Sequence, residues 1–505
     1  MTVLSFLLQS MSTSSLLCLV TCIALLFYFW SDSKKSVLKM PPGPAPLPFI
    51  GNLNVVDLKN IHKSLMELSE KHGNVFTVHF GPKKMVVLTG YETIKDALVN
   101  QADDFGDRAE IPIFQKITQE HGIGFSHGEP WRAMRRFTLS TLRDFGMGKK
   151  TIEDRILDEL HPLINHLESY KGKPFDTRII LNSAVSNVIC SIIFGKRFEY
   201  EDPTFLTLIN LLGDNFRLLG APQVQLYNFY PYLGFLLGAH KTLERNVDQQ
   251  IAFFQGFFKE HKKEFDANNI TGFIDAYLLK QEQESTNSST HFHDKNLLYS
   301  TLDLFAAGTE TTSTTLRWGL LLMMKYPEIQ RKVHEEITCV IKSGNVPRGQ
   351  DRKNMPYTDA VVHEIQRFAN IVPLNVSRGT TTDVHFRGYC IPKGTEVMPL
   401  LISVLYDKTQ WATPYEFNPQ HFLDANGRFV KKDAFLPFSI GRRACVGESL
   451  AKMELFLFFA GLLQKFTFHA PPGVAEADLD LTEDVGFTLT PKPHGVCAVP
   501  RAPTV

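Results

Sequence analysis

The chain has 505 residues, 44% of them hydrophobic and 21% charged, enough to bury a sizeable core, and no shift in composition divides it into separate soluble domains. Its 53 basic residues balance 53 acidic ones, so no global charge points to nucleic acid, and none is expected as a partner. Seven cysteines, at positions 18, 22, 190, 339, 390, 445 and 497, contain no Cys-x-x-Cys pair and fit a reducing compartment better than a disulfide framework.

Residues 16–30 are apolar except for Thr21, and 11–15 prolong the run with small polar residues to about one bilayer crossing. The run starts uncharged and ends in an aromatic cluster at 27–30, followed by Lys34, Lys35 and Lys39. That order argues for an uncleaved anchor over a signal peptide, with the C-terminal side cytoplasmic and the N-terminus lumenal. The predicted organisation is an N-terminal membrane anchor over 1–31, a basic and proline-rich hinge over 32–50, and one large body over 51–505. Within the hinge, Pro41-Pro42-Gly43-Pro44-Ala45-Pro46 is stiff and extended.

Alternation over 75–80 and 85–89 around Gly81-Pro82 predicts a β-hairpin, and 91–100 returns to helical spacing. After an irregular segment over 102–128, which holds Ile123, a helix opens near Trp131. Trp131 and Arg135 are four apart and share a face, a spacing that by itself describes an ordinary amphipathic helix with a solvated arginine. Apolar helices with aromatic stripes run from Ile152 to about Lys263, and such stripes read as core before they read as binding surface. Residues 281–293 read as an exposed loop, with His291 and His293 solvated rather than metal-binding.

The longest apolar helical stretch is 297–325, stopped by Pro327. Asp303, Glu310 and Arg317 make it a poor membrane span and place it through the centre of the protein. Its middle, Ala306-Ala307-Gly308-Thr309-Glu310-Thr311-Thr312, puts small and hydroxyl-bearing residues where leucine is the better helix former, and a glycine there costs about 1 kcal/mol relative to alanine. Small residues make room for a ligand, and threonine hydroxyls bond preceding carbonyls. A helix with merely tolerated threonines satisfies the same letters.

Glu364-Ile365-Gln366-Arg367 repeats the letters of Glu328-Ile329-Gln330-Arg331, so alone it says only that an acid and a base lie three apart on a helix. The second copy precedes an apolar turn over 370–374, which holds Val372, then Arg378 and a predicted hairpin over 384–397. His421 follows in the segment 414–422.

Phe438-Ser439-Ile440-Gly441-Arg442-Arg443-Ala444-Cys445-Val446-Gly447-Glu448 brackets one cysteine with two glycines. Gly441 permits a left-handed backbone and Gly447 lets a flat ligand approach. Helical spacing over 448–465 sets Cys445 at a helix N-terminus, which favours a thiolate. A lone cysteine among glycines is also, by itself, an ordinary loop thiol. An anionic sulfur held by backbone suits an axial metal ligand, and Arg443 is placed to meet an anionic group on that ligand, as in haem iron held by cysteine.

The segment 438–447 matches every fixed position of Phe-x-x-Gly-x-Arg-x-Cys-x-Gly, and through it the chain resembles the cytochrome P450 superfamily, in the animal microsomal, drug- and lipid-oxidising branch called family 2. The resemblance extends over nearly the whole chain from Pro41. It implies a mainly α fold with a small β-rich subdomain and an N-terminal transmembrane anchor, 51–505 being the haem-binding catalytic domain. It further implies haem b, its iron ligated by Cys445 and cradled by Phe438, Gly447, Ala307 and Gly308. Trp131, Arg135, Arg378 and Arg443 would meet the haem propionates, and Glu310 with Thr311 would be the acid and hydroxyl that guide protons to oxygen. Glu364, Arg367 and His421 would form a buried structural group, His421 standing where many members have arginine. Ile123, Phe305, Ala306, Val372 and Phe487 would line the substrate pocket, with 210–218 above it.

The implied activity is a monooxygenase acting with O2 on apolar small molecules such as fatty acids, arachidonate-like lipids, steroids or foreign compounds. Electrons would come from NADPH through NADPH-cytochrome P450 reductase, with cytochrome b5 as a second candidate donor, at the endoplasmic reticulum membrane. Arg132, Arg136, Lys431, Lys432 and Arg442 are candidates for a basic face toward an acidic donor, or for plain solvated surface. Two rivals stand beside this: a haem-thiolate isomerase acting on peroxides, against which Glu310 and Thr311 argue, and a non-catalytic, membrane-anchored haem-binding protein.

Overall fold

The hairpin forms as the alternation predicts. Strand β1 (Val75–Phe80) pairs antiparallel with β2 (Lys83–Leu88), Val78 opposite Met85, across a turn in which Gly81 has φ +60°. The computed structural model of the chain describes residues 13–15, 17–18, 20–22, 39–146, 150–342 and 344–501. The anchor predicted over 1–31 lies largely outside these residues; its described part, within Thr13–Cys22, is helical and exposed. The proline-rich stretch is extended, as expected, but it is fastened rather than free. Thr77 donates its backbone N–H to the Pro42 carbonyl (2.7 Å) and its hydroxyl to Pro41 (2.9 Å). A Cβ on Gly43 would lie 1.9 Å from the Thr77 carbonyl oxygen, so only glycine lets the chain lie against β1 here.

The remaining strands are short: β3 (Asp107–Arg108), β4 (Phe175–Asp176), β5 (Arg378–Gly379), β6 (Val384–Phe386), β7 (Tyr389–Ile391), β8 (Glu396–Pro399), β9 (Phe466–His469), β10 (Glu483–Val485), β11 (Leu489–Pro491) and β12 (Gly495–Pro500). One five-stranded sheet runs β1-β2-β8-β5-β3, with β2 and β8 parallel. The hairpin predicted over 384–397 is in fact β6 with β7 alone. Val397 belongs to β8 and lies opposite Val86 of β2, because all four residues of β8 are buried and fit the larger sheet. The sheet brings Arg108 and Arg378 side by side as antiparallel partners.

Everything else is mainly helical, and six helices position the site: α1 (Gly128–Asp144), α2 (Thr177–Phe194), α3 (Pro203–Gly220), α4 (Asp294–Lys325), α5 (Pro356–Ala369) and α6 (Glu448–Lys465). Helix α4 runs through the centre against α2, α5 and α6. His293 caps it by accepting the Asn296 N–H at its Nδ1 (3.3 Å), so this histidine is occupied structurally. Helix α2 is long and apolar enough to cross a membrane, but most of it is buried inside the protein, against α4. Asp176 caps it at Arg178, and Gly195, at φ +73°, ends it.

Candidate active site

Cys445 sits two residues before the cap of α6, in a loop tightened by two hydrogen bonds, Cys445 N–H to the Phe438 carbonyl (3.0 Å) and Ala444 N–H to Gly441 (3.1 Å). Gly441 has φ +80°, and a Cβ there would lie 1.9 Å from the Leu98 carbonyl oxygen, so the turn needs glycine on both counts. Gly447 has an ordinary φ of −93°, and a Cβ on it would lie 3.8 Å from the Cys445 sulfur. Cys445 keeps an exposed surface within a loop that protein surrounds. Burial pushes its pKa up, against the opposing pull of the Gly447 N–H, Arg135 and the Glu448 N–H. The helix terminus therefore favours the thiolate without securing it; a cation on the sulfur would complete the ionisation.

Four arginines converge near this loop. Arg378 is 1% exposed and Arg443 6%, and burial lowers the pKa of both, Arg443 to about 8. Arg108, lowered by burial to about 10, and Arg135 add like charge to each. Arg443 stacks on the Trp131 ring with its guanidinium carbon 3.7 Å from the centroid, and donates to the carbonyls of Gly106 (3.1 Å) and Ser126 (2.9 Å). Among the described residues no partner meets Trp131 Nε1, Arg378 Nε and Nη1, or Arg443 Nη1. Asp107 pairs with Arg443 (3.3 Å at Nη2) but leaves these donors idle, and buried cations in this number are stable only beside further anions, so the set fits the two carboxylates of a haem. Arg135 is the exception: its Nη2 donates to the Ala444 carbonyl (2.7 Å), so it pins the thiol loop.

Along α4 the predicted residues divide between faces. Ala307 is exposed in the middle of a largely buried helix, and Thr311, one turn on, shares its side, its hydroxyl donating to the Ala307 carbonyl (2.6 Å). Glu310 is 5% exposed and turns toward Asn182 and Arg178 of α2, and it accepts from the hydroxyl of Thr314, one turn on in α4 (3.2 Å). Acid and hydroxyl are thus neighbours in sequence but not hydrogen-bonded to each other. Gly308 faces α2 as well: a Cβ there would lie 2.6 Å from Ile189 Cδ1, so its smallness serves helix packing rather than a ligand. Phe305, expected in the pocket, is a core residue packed edge-on against Phe254 (5.5 Å), and Ala306 is half-buried beside the same core.

The other residues expected in the pocket come from three separate segments of the chain. Phe487, at the β10–β11 turn, meets Phe114 (5.9 Å) and Phe216 of α3 (5.7 Å) edge-on. A cavity of about 120 Å³ runs beside them, lined also by Leu219, Val376 and Met398. Val372 is half-buried on a loop that meets the same turn through the Leu489 N–H to the Ile371 carbonyl (2.9 Å). Ile123 is buried, and its N–H donates to Asp303 of α4 (2.7 Å).

Glu364, Arg367 and His421 lie together. Glu364 and Arg367 are fully buried, 2.7 Å apart at Oε1 and Nη2. Arg367 also donates to the carbonyls of Leu405, Pro414 and Glu416. His421 Nε2 accepts the Thr413 N–H (3.2 Å), which leaves Nδ1 as the donor to Glu364, 3.2 Å from both oxygens. The look-alike Arg331 instead pairs with Glu335 on an exposed helix face.

Three charged residues escaped the motif reading. Arg108 belongs to the cationic cluster, yet nothing in its neighbours' letters distinguishes it. Asp303, whose pKa burial raises to about 6, receives the N–H groups of Ile123 and Gly124; one turn before Ala307 was its only signal. Glu454, amid the apolar run of α6, is 1% exposed. On the surface, Arg132 pairs with Glu129 and Arg442 with Asp103, so the proposed basic face is partly neutralised.

The family model described as Cytochrome P450 matches residues 41–498. Cytochrome P450 2K1 of Oncorhynchus mykiss is 50% identical over 504 residues, 99% of this chain and 100% of that protein. Cytochrome P450 2K6 of Danio rerio is 52% identical over 458 residues, 90% of each. Cytochrome P450 2F2 of Rattus norvegicus is 45% identical over 491 residues, 97% of this chain and 99% of its own. Similarity that runs unbroken through the thiol loop, the cationic cluster and the central helix is similarity of kind, and this chain belongs to the cytochrome P450 family.

Proposed function

We propose that the protein is a microsomal haem-thiolate monooxygenase that hydroxylates or epoxidises apolar organic substrates. The observation that carries this reading is the set of idle donors on Trp131, Arg378 and Arg443 beside the Cys445 loop. Cys445 would ligate the iron, with Phe438 and Gly447 beside it and Ala307 leaving room on the α4 side. Haem bound through a thiolate supplies reductive activation of O2 and insertion of one oxygen atom into the substrate.

The chain's own residues do the rest. Arg135 fixes the Ala444 carbonyl and sets positive charge by the sulfur. Thr311 presents a hydroxyl on the Ala307 side, and Glu310 holds a carboxyl on the other, so the two can pass protons around α4. The aromatic roof of Phe114, Phe216 and Phe487 excludes water and supports substrates of the fatty-acid, arachidonate-like, steroid or drug class.

Electrons would come from NADPH through NADPH-cytochrome P450 reductase, with cytochrome b5 as a second donor, docking near Arg136 and Lys431. An exposed apolar patch supports residence on the endoplasmic reticulum membrane. Phe49 (68% exposed) lies beside the segment of Phe235 (72%) and Leu236 (69%), tied to it by the Tyr230 hydroxyl donating to the Phe49 carbonyl (2.7 Å). The patch adjoins the hinge, so the body would rest on the cytoplasmic face below the anchor.

The reduced carbon monoxide difference spectrum tests the assignment. A thiolate-type band in the parent, lost in Cys445→Ser, is the expected result. A histidine-type band that ignores Cys445, or no haem at all, would refute it.

A further inference from the structure

The seam between α2 and α4 is polar where packing alone would make it apolar. The helices run antiparallel, Ser186 facing Thr309 (2.9 Å, hydroxyl to hydroxyl) while Arg178 lies toward Arg317. Between those ends lie Asn182, Ser183, Glu310 and Thr314, all 5% exposed or less. Among the described residues, Asn182 Oδ1, Ser183 Oγ, Glu310 Oε2 and Arg317 Nε have no hydrogen-bond partner. Such buried groups are costly if left alone, and four in one seam, donors and acceptors mixed, are the setting in which buried water is retained.

The seam has a mouth. Arg317 feels Asp176, Arg178 and Asp484, all three exposed, and half-buried His494, with an unmatched Nε2, lies near Arg317 and Asp176. Its inner end is Glu310, the residue before Thr311.

We propose that this seam is a water-filled proton inlet from Asp176 and His494 at the surface to Glu310, and that Arg317 is the positioning residue that sets the charge of that carboxyl. The inference rests on the monooxygenase reading, in which O2, substrate, two electrons from the reductase and two protons give hydroxylated product and water. Those protons must reach a buried site. Burial raises the Glu310 pKa; Arg317 is the strongest opposing influence, followed by the Thr314 hydroxyl, Arg178 and the Asn182 amide. These are the charged and polar groups that face it from α4 and α2.

Infrared difference titration of the full-length, haem-loaded protein tests the inlet, Glu310→Gln identifying the carboxyl band. Arg317→Gln is expected to move the Glu310 midpoint up by about one pH unit or more, Arg317→Lys to restore most of it, and Arg178→Gln, at the exposed mouth, to shift it less but in the same direction. In Asn182→Leu/Ser183→Ala, which dries the seam, peroxide released per NADPH should at least roughly double with the carbon monoxide band unchanged. A midpoint unmoved in both Arg317→Gln and Arg178→Gln, or a peroxide yield unmoved in the dried seam, overturns the proposal. A parent without a thiolate band overturns the monooxygenase reading instead, and is seen before any titration is begun.

Discussion

Arg443 lies flat on Trp131, 3.7 Å from guanidinium carbon to ring centroid, and each residue keeps one nitrogen without a partner among the described residues. The stack fixes both side chains before any ligand arrives, so their idle donors point at a preset place.

Trp131→Phe separates the two functions of this pair, keeping a ring beneath Arg443 and removing Nε1–H. A hydrogen bond to a charged group contributes about 1.5–3 kcal/mol, so haem should transfer to an acceptor globin roughly 10- to 100-fold more readily from the variant than from the parent. Trp131→Ala, which loses the stack as well, should be worse. Equal haem retention in Trp131→Phe and the parent would mean that Nε1 meets no haem carboxylate.

The buried pair of Glu364 and Arg367 predicts a different outcome. Every Arg367 donor nitrogen is engaged, so Arg367→Met leaves a carboxylate and three carbonyls without it. Loss of one partner of a buried pair costs about 3–5 kcal/mol. His421→Ala removes one donor to the Glu364 carboxylate and should cost about 1.5–3 kcal/mol. Thermal unfolding and holoprotein yield should rank parent, His421→Ala and Arg367→Met in that order; a reversed order would make the histidine the principal partner.

The thiol loop was legible in the sequence because its geometry is local: Gly441, Cys445 and the start of α6 follow one another within a few residues. Spacing also gave α4 its length and central place. It could not give the phase of α4, because polar residues fall both on the Thr311 side and in the α2 seam, so no single polar face orients the helix. Phe305 and Gly308 were therefore set toward the ligand, whereas one packs on Phe254 and the other on Ile189. Arg108, Asp303 and Glu454 take their meaning from partners far along the chain, which no local pattern records.

Gly308→Ala tests the phase directly. Alanine gains about 1 kcal/mol of helix propensity, but its methyl would meet Ile189 Cδ1 at 2.6 Å, and overpacking of this kind costs about 1–3 kcal/mol. The variant should melt at or below the parent's temperature with its haem spectrum unchanged. Adding Ile189→Val, which deletes Cδ1 but leaves Cγ1 at 2.9 Å, should recover part of the loss. A haem spectrum disturbed by Gly308→Ala and not repaired by Ile189→Val would return Gly308 to the ligand's side.

Glu454 predicts a pH dependence of stability. It is buried in α6 with one hydrogen bond, from the Thr312 hydroxyl at 3.3 Å, and burial raises its pKa from 4.5 to about 8. Between those values the fold holds a proton that the unfolded chain has released. Its contribution is therefore whole below about pH 4.5 and is lost as pH rises through about 8, a swing on the order of 5 kcal/mol. Glu454→Gln keeps an oxygen for Thr312 and cannot ionise, so it should resist this loss. Denaturant melts of the holoprotein near pH 5 and pH 8.5 should show the parent weakening more than the variant, the gap widening with pH. Parallel pH profiles would mean that Glu454 already stands ionised at neutrality, held by a partner beyond Thr312.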